Sequence, residues 1–460
     1  MKLENDLGRD PVGRLVVRTA IPSMLGQFVS VLYSIVDRMY VGHIAEVGDI
    51  ALAGVGVCGP VVTLVGSVAF LVGVGGAPLL SIRMGEGRRD EAQRILDNCF
   101  WLLLGFAALL IAGLMPLREP MLRLFGASDQ TLPYAMSYFT VYLSGTFFAL
   151  LSTGMNQLVI CQGYARVGMA SVILGAVLNI ALDPVFIFVL DLGVAGAAWA
   201  TILSQAGSAA FVLVFLLSRR APVRLTFSPG RPRIMGRILT MGLTPFLIIA
   251  VDSVMIIAMN AVLQRYGGVA RGDRLVTCNT IVQSFMLVIT MPLSGITGGT
   301  QGLLGYNYGA ARGDRVLKAQ RHIAILCVIF TAVMFVLARG AGRLFVGLFT
   351  SDPGLADEAM AAIGICTLAV VPLGVQYAIV DGFTAMGQVQ LSLPLSAWRK
   401  LVYFVAIFTL PAVFGADQVF YAEPLSDILG PVASITVWLL CTKKILRRRE
   451  REAAVLRSQE

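Results

Sequence analysis

The chain is a succession of long apolar runs separated by short polar breaks, from residue 15 to residue 446. Runs of roughly 20 apolar residues are long enough to cross a bilayer core as helices. A helix is the natural spanning element, because it satisfies its own backbone hydrogen bonds. The short strands of alternating polarity that build a membrane barrel are absent from the pattern. The breaks predict twelve spans at approximately 15–42, 50–80, 92–115, 132–160, 168–190, 194–217, 237–263, 273–306, 319–338, 355–386, 390–414 and 425–446. The second, eighth and tenth are long enough to require tilt, kinks or turns outside the bilayer. The predicted fold class is an all-α polytopic membrane protein.

The second half echoes the first at an offset of roughly 223 residues. Pro22 in TAIPSMLGQF matches Pro245 in MGLTPFLIIA, and GVGGAPLLSIRMGEGRRDEA matches GITGGTQGLLGYNYGAARGDRV. GASD near residue 129 matches TSD near residue 352, and GYARVG near 163 matches the MGQVQ region near 387. Six helices per half give both halves the same direction, so the repeat is parallel, about an axis along the membrane normal. The predicted organisation is two pseudo-symmetric six-helix lobes. These are an N-terminal lobe (1–217), a basic linker (218–236), a C-terminal lobe (237–446) and a basic tail (447–460). Two lobes that rock about a site between or within them are the expected use of such a repeat.

Composition agrees. The chain is 57% hydrophobic and 14% charged, whereas a soluble domain carries about a quarter charged residues. The net charge of +9 suggests nucleic acid until its placement is read. With the N-terminus in the cytoplasm, 28 of the 36 Lys and Arg fall in cytoplasmic segments and 7 in outer loops, with Arg38 inside the first span. That asymmetry orients the chain with both termini cytoplasmic, and it excludes nucleic acid as the explanation of the charge. The basic tail reads as a cytoplasmic anchor, with contact to anionic lipid as a secondary reading. The N-terminal segment lacks the apolar core and cleavage site of a signal peptide, so the first span is expected to act as the insertion signal.

Seven cysteines are scattered singly, without CxxC pairs, and read as ordinary membrane-core residues. The two histidines, His43 and His322, belong to no catalytic motif, and no GxxxxGK[ST] loop occurs. Enzyme and primary-pump readings therefore lack support, and no cofactor is expected. Glycine-rich GVGG (73–76) and GITGG (295–299) lie inside apolar spans, where close helix packing or a bend is the expected reason.

An ionisable residue at the centre of a span costs about 2.5–3.5 kcal/mol or more, so each needs a reason. Four acids stand out: Asp37, Asp183, Asp252 and Asp381. The helical rise places Asp37 about 7 Å and Asp183 about 10 Å below the outer ends of the first and fifth spans, with Thr201 about 10 Å down the sixth. Asn179 sits one turn below Asp183 on the same helix face. Oxygen ligands suit a hard cation, and a desolvated carboxylate pair suits a proton. Asp37, Asn179, Asp183 and Thr201 are accordingly the candidate cation- or proton-coupling residues, with Na+ as the candidate metal. Asp252 and Asp381 are candidate substrate-cavity acids, with local structural pairing as the alternative. Pro22 and Pro184 each remove a helical hydrogen bond and invite a bend.

TAIPSMLGQF…YSIVDRMYVGHI, LNIALDPVFIF and GTQGLLGYNYGAARGD resemble the multidrug and toxic compound extrusion (MATE) transporters, specifically the prokaryotic DinF-like and MepA-like branch. The resemblance covers nearly the whole chain. It implies twelve helices in two lobes around a V-shaped cavity. It also implies secondary active export of amphipathic, often cationic, drug-like compounds in exchange for H+ or Na+. Residues matching the branch's cation site are Asp37, Asn179, Asp183 and Thr201, and the proline of its bending first helix is Pro22. Another branch carries acids in the seventh and tenth helices. Asp252 and Asp381 match those more loosely, because the local motifs differ. A bacterial inner-membrane location and a monomer complete the expectation. The rival function is a flippase for a lipid-linked precursor, which requires a strongly cationic cavity.

Overall fold

A computed structural model describes residues 5–42, 44, 48–125, 127–350 and 352–457. His43 and the side chain of Arg38 lie outside the described residues. The helices are α1 (Val12–Gly42), α2 (Gly48–Gly85), α3 (Arg89–Leu124), α5 (Ala165–Pro184), α6 (Gly193–Leu217), α9 (Gly313–Gly340), α11 (Val389–Phe414) and α12 (Ala422–Arg457). Two more, α7 (Pro232–Gly268) and α8 (Arg274–Gly309), are separated by a break. Gly268 makes that break, at φ 64° and ψ −173°, a region that a side chain would forbid. The fourth and tenth spans are bent pairs. Leu132–Ser144 meets Thr146–Ile160 at 56° (α4), and Pro353–Cys366 meets Val370–Ala385 at 49° (α10). Ten single helices and two bent pairs supply twelve apolar spans among the described residues.

Both bends have local causes. In α4 the joint is Gly145, whose missing side chain leaves room for Ile202 of α6. In α10 the second helix carries Pro372 in its first turn, and proline cannot donate to the preceding turn. The bend in α10 answers the excess length seen in the sequence. The bend in α4 had no such signal.

The chain forms two compact units. Unit 1 comprises Leu25–Ile249 with the residues before Gly8, and unit 2 comprises Gly8–Met24 with Ala250 onward. The first turns of α1 thus belong to unit 2, and the first turns of α7 belong to unit 1. Glycines make this possible. In unit 1, Gly75 of α2 lies so close to Ile238 and Gly242 of α7 that an added Cβ would meet their backbones. In unit 2, Gly299 of α8 approaches Thr19 and Ser23 of α1 in the same way. These contacts are repeat mates, and they explain both glycine-rich stretches.

Unit 1 is built around Val72, Leu80, Leu96, Leu103, Leu150 and Leu158, all at most 1% exposed. Several side chains fasten the linker to this unit, among them Gln162, whose Oε1 accepts from the N–H of Val223 at 3.0 Å, and above all Asp97. Asp97 of α3, fully buried, accepts from the backbone N–H groups of Thr226 (2.8 Å), Phe227 (3.2 Å) and Ser228 (3.1 Å), and from the hydroxyls of Thr226 (2.7 Å) and Ser228. Asn98 Oδ1 accepts from the N–H of Arg231 (2.7 Å), immediately before α7.

Candidate functional site

Asp183 stands at the end of α5, where Pro184 removes the next helical N–H. The helix answers by widening into a π turn, Val185–Val189, with Leu190 N–H donating to Val185 O at 2.8 Å. Such turns recur at functional sites. Here it brings the Phe186 carbonyl against α6, so that a methyl group on Gly196 would lie 2.6 Å from it. It also places Phe188 edge-on to Tyr40 of α1, with centroids 6.5 Å apart. The outer half of α1, the end of α5 and the start of α6 therefore converge, all within unit 1.

At this convergence Asp37 and Asp183 meet. Their carboxyls are close enough to interact through a side-chain hydrogen bond. Asn179 Nδ2 donates to Asp183 Oδ1 at 3.3 Å. Asn179 and Asp183 are 1% and 0% exposed, while Asp37 is part-exposed. Asn179 Oδ1 and Asp183 Oδ2 are buried and have no hydrogen-bond partner within the protein. Thr201 donates its hydroxyl to Ala197 O (3.0 Å), which leaves the hydroxyl oxygen free to accept. The grouped oxygens are thus those of two carboxyls and an amide, with the Thr201 hydroxyl on the neighbouring helix α6.

Three tyrosines escaped the sequence reading. Tyr33 and Tyr138 lie within electrostatic range of Asp37, and Tyr138 stacks on Tyr142 at 6.1 Å between centroids. Tyr33 had a signal, since it is one helical turn before Asp37. Gln205 had the same kind of signal, one turn beyond Thr201, and its buried Oε1 also lacks a partner within the protein.

Asp252 and Asp381 sit elsewhere, in unit 2. Asp252 of α7 pairs with Lys400 of α11, keeping 43% of its side chain exposed. Asp381 of α10 is part-buried, with Thr297 of α8 within hydrogen-bonding reach. A further buried pair went unpredicted. Arg399 Nη1 meets Asp427 Oδ1 of α12 at 2.7 Å, with Glu423 at 4.0 Å. Asp427 is fully buried, and its Oδ2 has no hydrogen-bond partner within the protein. The signal was Arg399, which lies inside the 390–414 span even though the charge count grouped it with the cytoplasmic segments, and which there demands a counter-ion.

Neither region contains three or more His, Cys, Asp or Glu clustered as for a transition metal, nor does any other place among the described residues. The oxygen-rich arrangement in unit 1 suits a hard monovalent cation or a shared proton instead.

The MatE family model matches residues 22–185 and 247–409, one segment in each half. The chain belongs to the MATE family. It is 23% identical over 444 residues to the multidrug export protein MepA of Staphylococcus aureus, covering 95% of this chain and 96% of that one. The MepA of Staphylococcus saprophyticus is 22% identical, with 93% of each chain covered. Among solved structures, the fold matches an outward-facing multidrug resistance MATE transporter of the MOP superfamily (TM-score 0.89, 22% identity, 96% of this chain and 98% of that one). It also matches a MOP superfamily transporter of Pyrococcus furiosus described as having a binding pocket of reversed polarity (TM-score 0.88, 24% identity, 97% and 100%). The MATE assignment makes this chain a multi-pass membrane transporter, not an enzyme.

Proposed function

We propose that this MATE transporter exports amphipathic, often cationic, drug-like compounds from the cell, driven by H+ or Na+ moving inward. The observation that carries this reading is the meeting of Asp37 and Asp183 beside two buried oxygens without partners. Two carboxylates held near each other in low dielectric repel, and a proton or a cation between them relieves the repulsion. A coupling ion drives transport only if it binds one conformation better than another. The acids come from α1 and α5, and α1, like α7, is a helix whose two parts belong to different units. Filling or emptying the pair changes the forces on that helix.

Asp37 and Asp183 supply the charge in this reading, Asn179 Oδ1 and the Thr201 hydroxyl complete the oxygen shell, and Pro22 and Pro184 free the backbone around it. Asp381 is the better candidate for attracting a cationic substrate, since Asp252 already has Lys400. The compound, the ion and a monomeric state are proposals that the relatives named for multidrug export support. So is a bacterial inner-membrane location with both termini cytoplasmic, which the Lys and Arg asymmetry supports.

The flippase alternative asks for uncompensated cations to hold a pyrophosphate. Within the spans, Arg399 and Lys400 are neutralised by Asp427 and Asp252. That observation disfavours it.

The test is drug accumulation in inside-out vesicles with proton and sodium gradients imposed in turn. One gradient should drive accumulation, and Asp183→Asn should abolish it at unchanged protein level. Undiminished accumulation by that variant defeats the coupling role.

A further inference from the structure

A second constellation of charge lies in unit 1, away from the acid pair. Three helix ends surround a cavity of ≈ 210 Å³: the last turns of α2 (Leu79, Arg83), the first turns of α3 (Glu91, Arg94, Ile95) and the start of α7 (Ile234, Arg237) with Arg231 just before it. The ion pairs there use up only part of the charge. Arg83 binds Glu86 at 2.5 Å and Glu91 at 3.2 Å, and Arg88 also binds Glu91. Two acids are thereby matched by two bases. Arg94, Arg231 and Arg237 remain exposed, with no ion-pair partner among the described residues. Three guanidiniums around one cavity repel one another unless an anion sits between them.

The rest of the lining identifies the anion. Leu79, Ile95 and Ile234 form apolar walls beside the cations, which a free inorganic ion has no use for. Two turns further along α3, about 10 Å deeper, Trp101 is 39% exposed and donates its indole N–H to Ser228 O at 3.0 Å. An exposed tryptophan with a satisfied polar edge marks the level where headgroups meet acyl chains. Arginine recognises phosphate through paired N–H donors. Cations at the mouth, apolar walls and an interfacial aromatic below match an amphiphile with an anionic phosphate head.

We propose that the α2–α3–α7 cavity is a binding site for one anionic phospholipid, held by Arg94, Arg231 and Arg237 through its phosphate. The basic stretch between the halves then serves recognition as well as topology. The site seats the lipid against the first turns of α7, which unit 1 holds through Gly242.

The test uses the full-length protein in nanodiscs of phosphatidylcholine doped with phosphatidylglycerol, released and weighed by native mass spectrometry. The wild type should retain one phosphatidylglycerol in preference to phosphatidylcholine. The triple variant R94Q/R231Q/R237Q should retain it roughly a hundredfold less, since each interfacial arginine contributes about a factor of five. A control triple variant in the tail, R447Q/R448Q/R451Q, should behave as wild type. Equal loss in the control would mean diffuse attraction to the membrane and overturn the site. Displacement of the lipid by inorganic phosphate, or phosphate binding in discs of pure phosphatidylcholine, would make it a free-anion site and overturn the lipid assignment. Should the triple variant fail to fold, R94Q and R237Q separately test the point, because both side chains are exposed. Each should weaken retention about fivefold, and wild-type retention by both would end the proposal.

Discussion

Asn179 spends its amide N–H on Asp183 Oδ1, one turn away, and this single 3.3 Å bond fixes which oxygens remain available. The amide cannot turn its oxygen toward the carboxylate without setting two acceptors against each other. Asn179 Oδ1 and Asp183 Oδ2 are thereby left as the open acceptors of a buried site.

Replacing Asn179 with Asp removes that donor and adds a third carboxyl to the site. Export by N179D should fall by at least about tenfold, the equivalent of one charge-assisted hydrogen bond of about 1.5–3 kcal/mol. Replacement with Ser, which keeps a hydroxyl donor, should retain more activity. Drug accumulation in inside-out vesicles, normalised to protein, reads both; equal rates for the two variants would count against the donor role.

The Arg399–Asp427 pair is buried in unit 2, and breaking it should be worse than deleting it. Either R399M or D427N alone strands a charge or a polar group, at about 3–5 kcal/mol. The double variant should recover most of that loss. Thermal unfolding in detergent, run as a double-mutant cycle, checks this; additive losses would show that the two side chains act independently.

Asp97→Ala should release the linker. The change leaves three backbone N–H groups without their acceptor, and each buried one costs about 1–3 kcal/mol, moderated where water reaches. Limited proteolysis between residues 218 and 231 should speed up markedly relative to wild type. An unchanged cleavage rate would show that other contacts hold the linker.

Gly242→Val and Gly299→Val test the close helix crossings. A side chain at Gly242 collides with the Leu71 backbone of α2, and one at Gly299 collides with Thr19 of α1. Both variants should lose most folded protein, because backbone cannot yield as a side-chain tip can. Gly298→Val is the control, since nothing lies within 4 Å of a Cβ there. Fluorescence-detected size exclusion distinguishes the outcomes.

Apolar run length made the twelve spans legible, because the bilayer imposes one length on every crossing. The acids of unit 1 were legible for a related reason: a carboxylate in an apolar run must have a use or a partner. What the pattern hid were relations across the fold. Tyr138 looks like any interfacial aromatic until α4 bends at Gly145 and brings it near Asp37. Asp427 lies two residues inside its span and was not singled out with the other acids, although it is fully buried against Arg399. The π turn after Pro184 was legible only as a missing hydrogen bond, since a proline states what is lost and not how the backbone adapts.

Each compact unit borrows the opening turns of a helix from the opposite half of the gene: Gly8–Met24 completes unit 2, and residues 232–249 complete unit 1. A cut at the linker therefore yields no self-sufficient product. A polypeptide ending at 217 lacks the piece that packs on Gly75, and one starting at 232 lacks the piece that packs on Gly299. Made separately, each is a torso missing a limb that only its sibling carries. Duplication here produced interdependence, so a loss of either half removes part of the other.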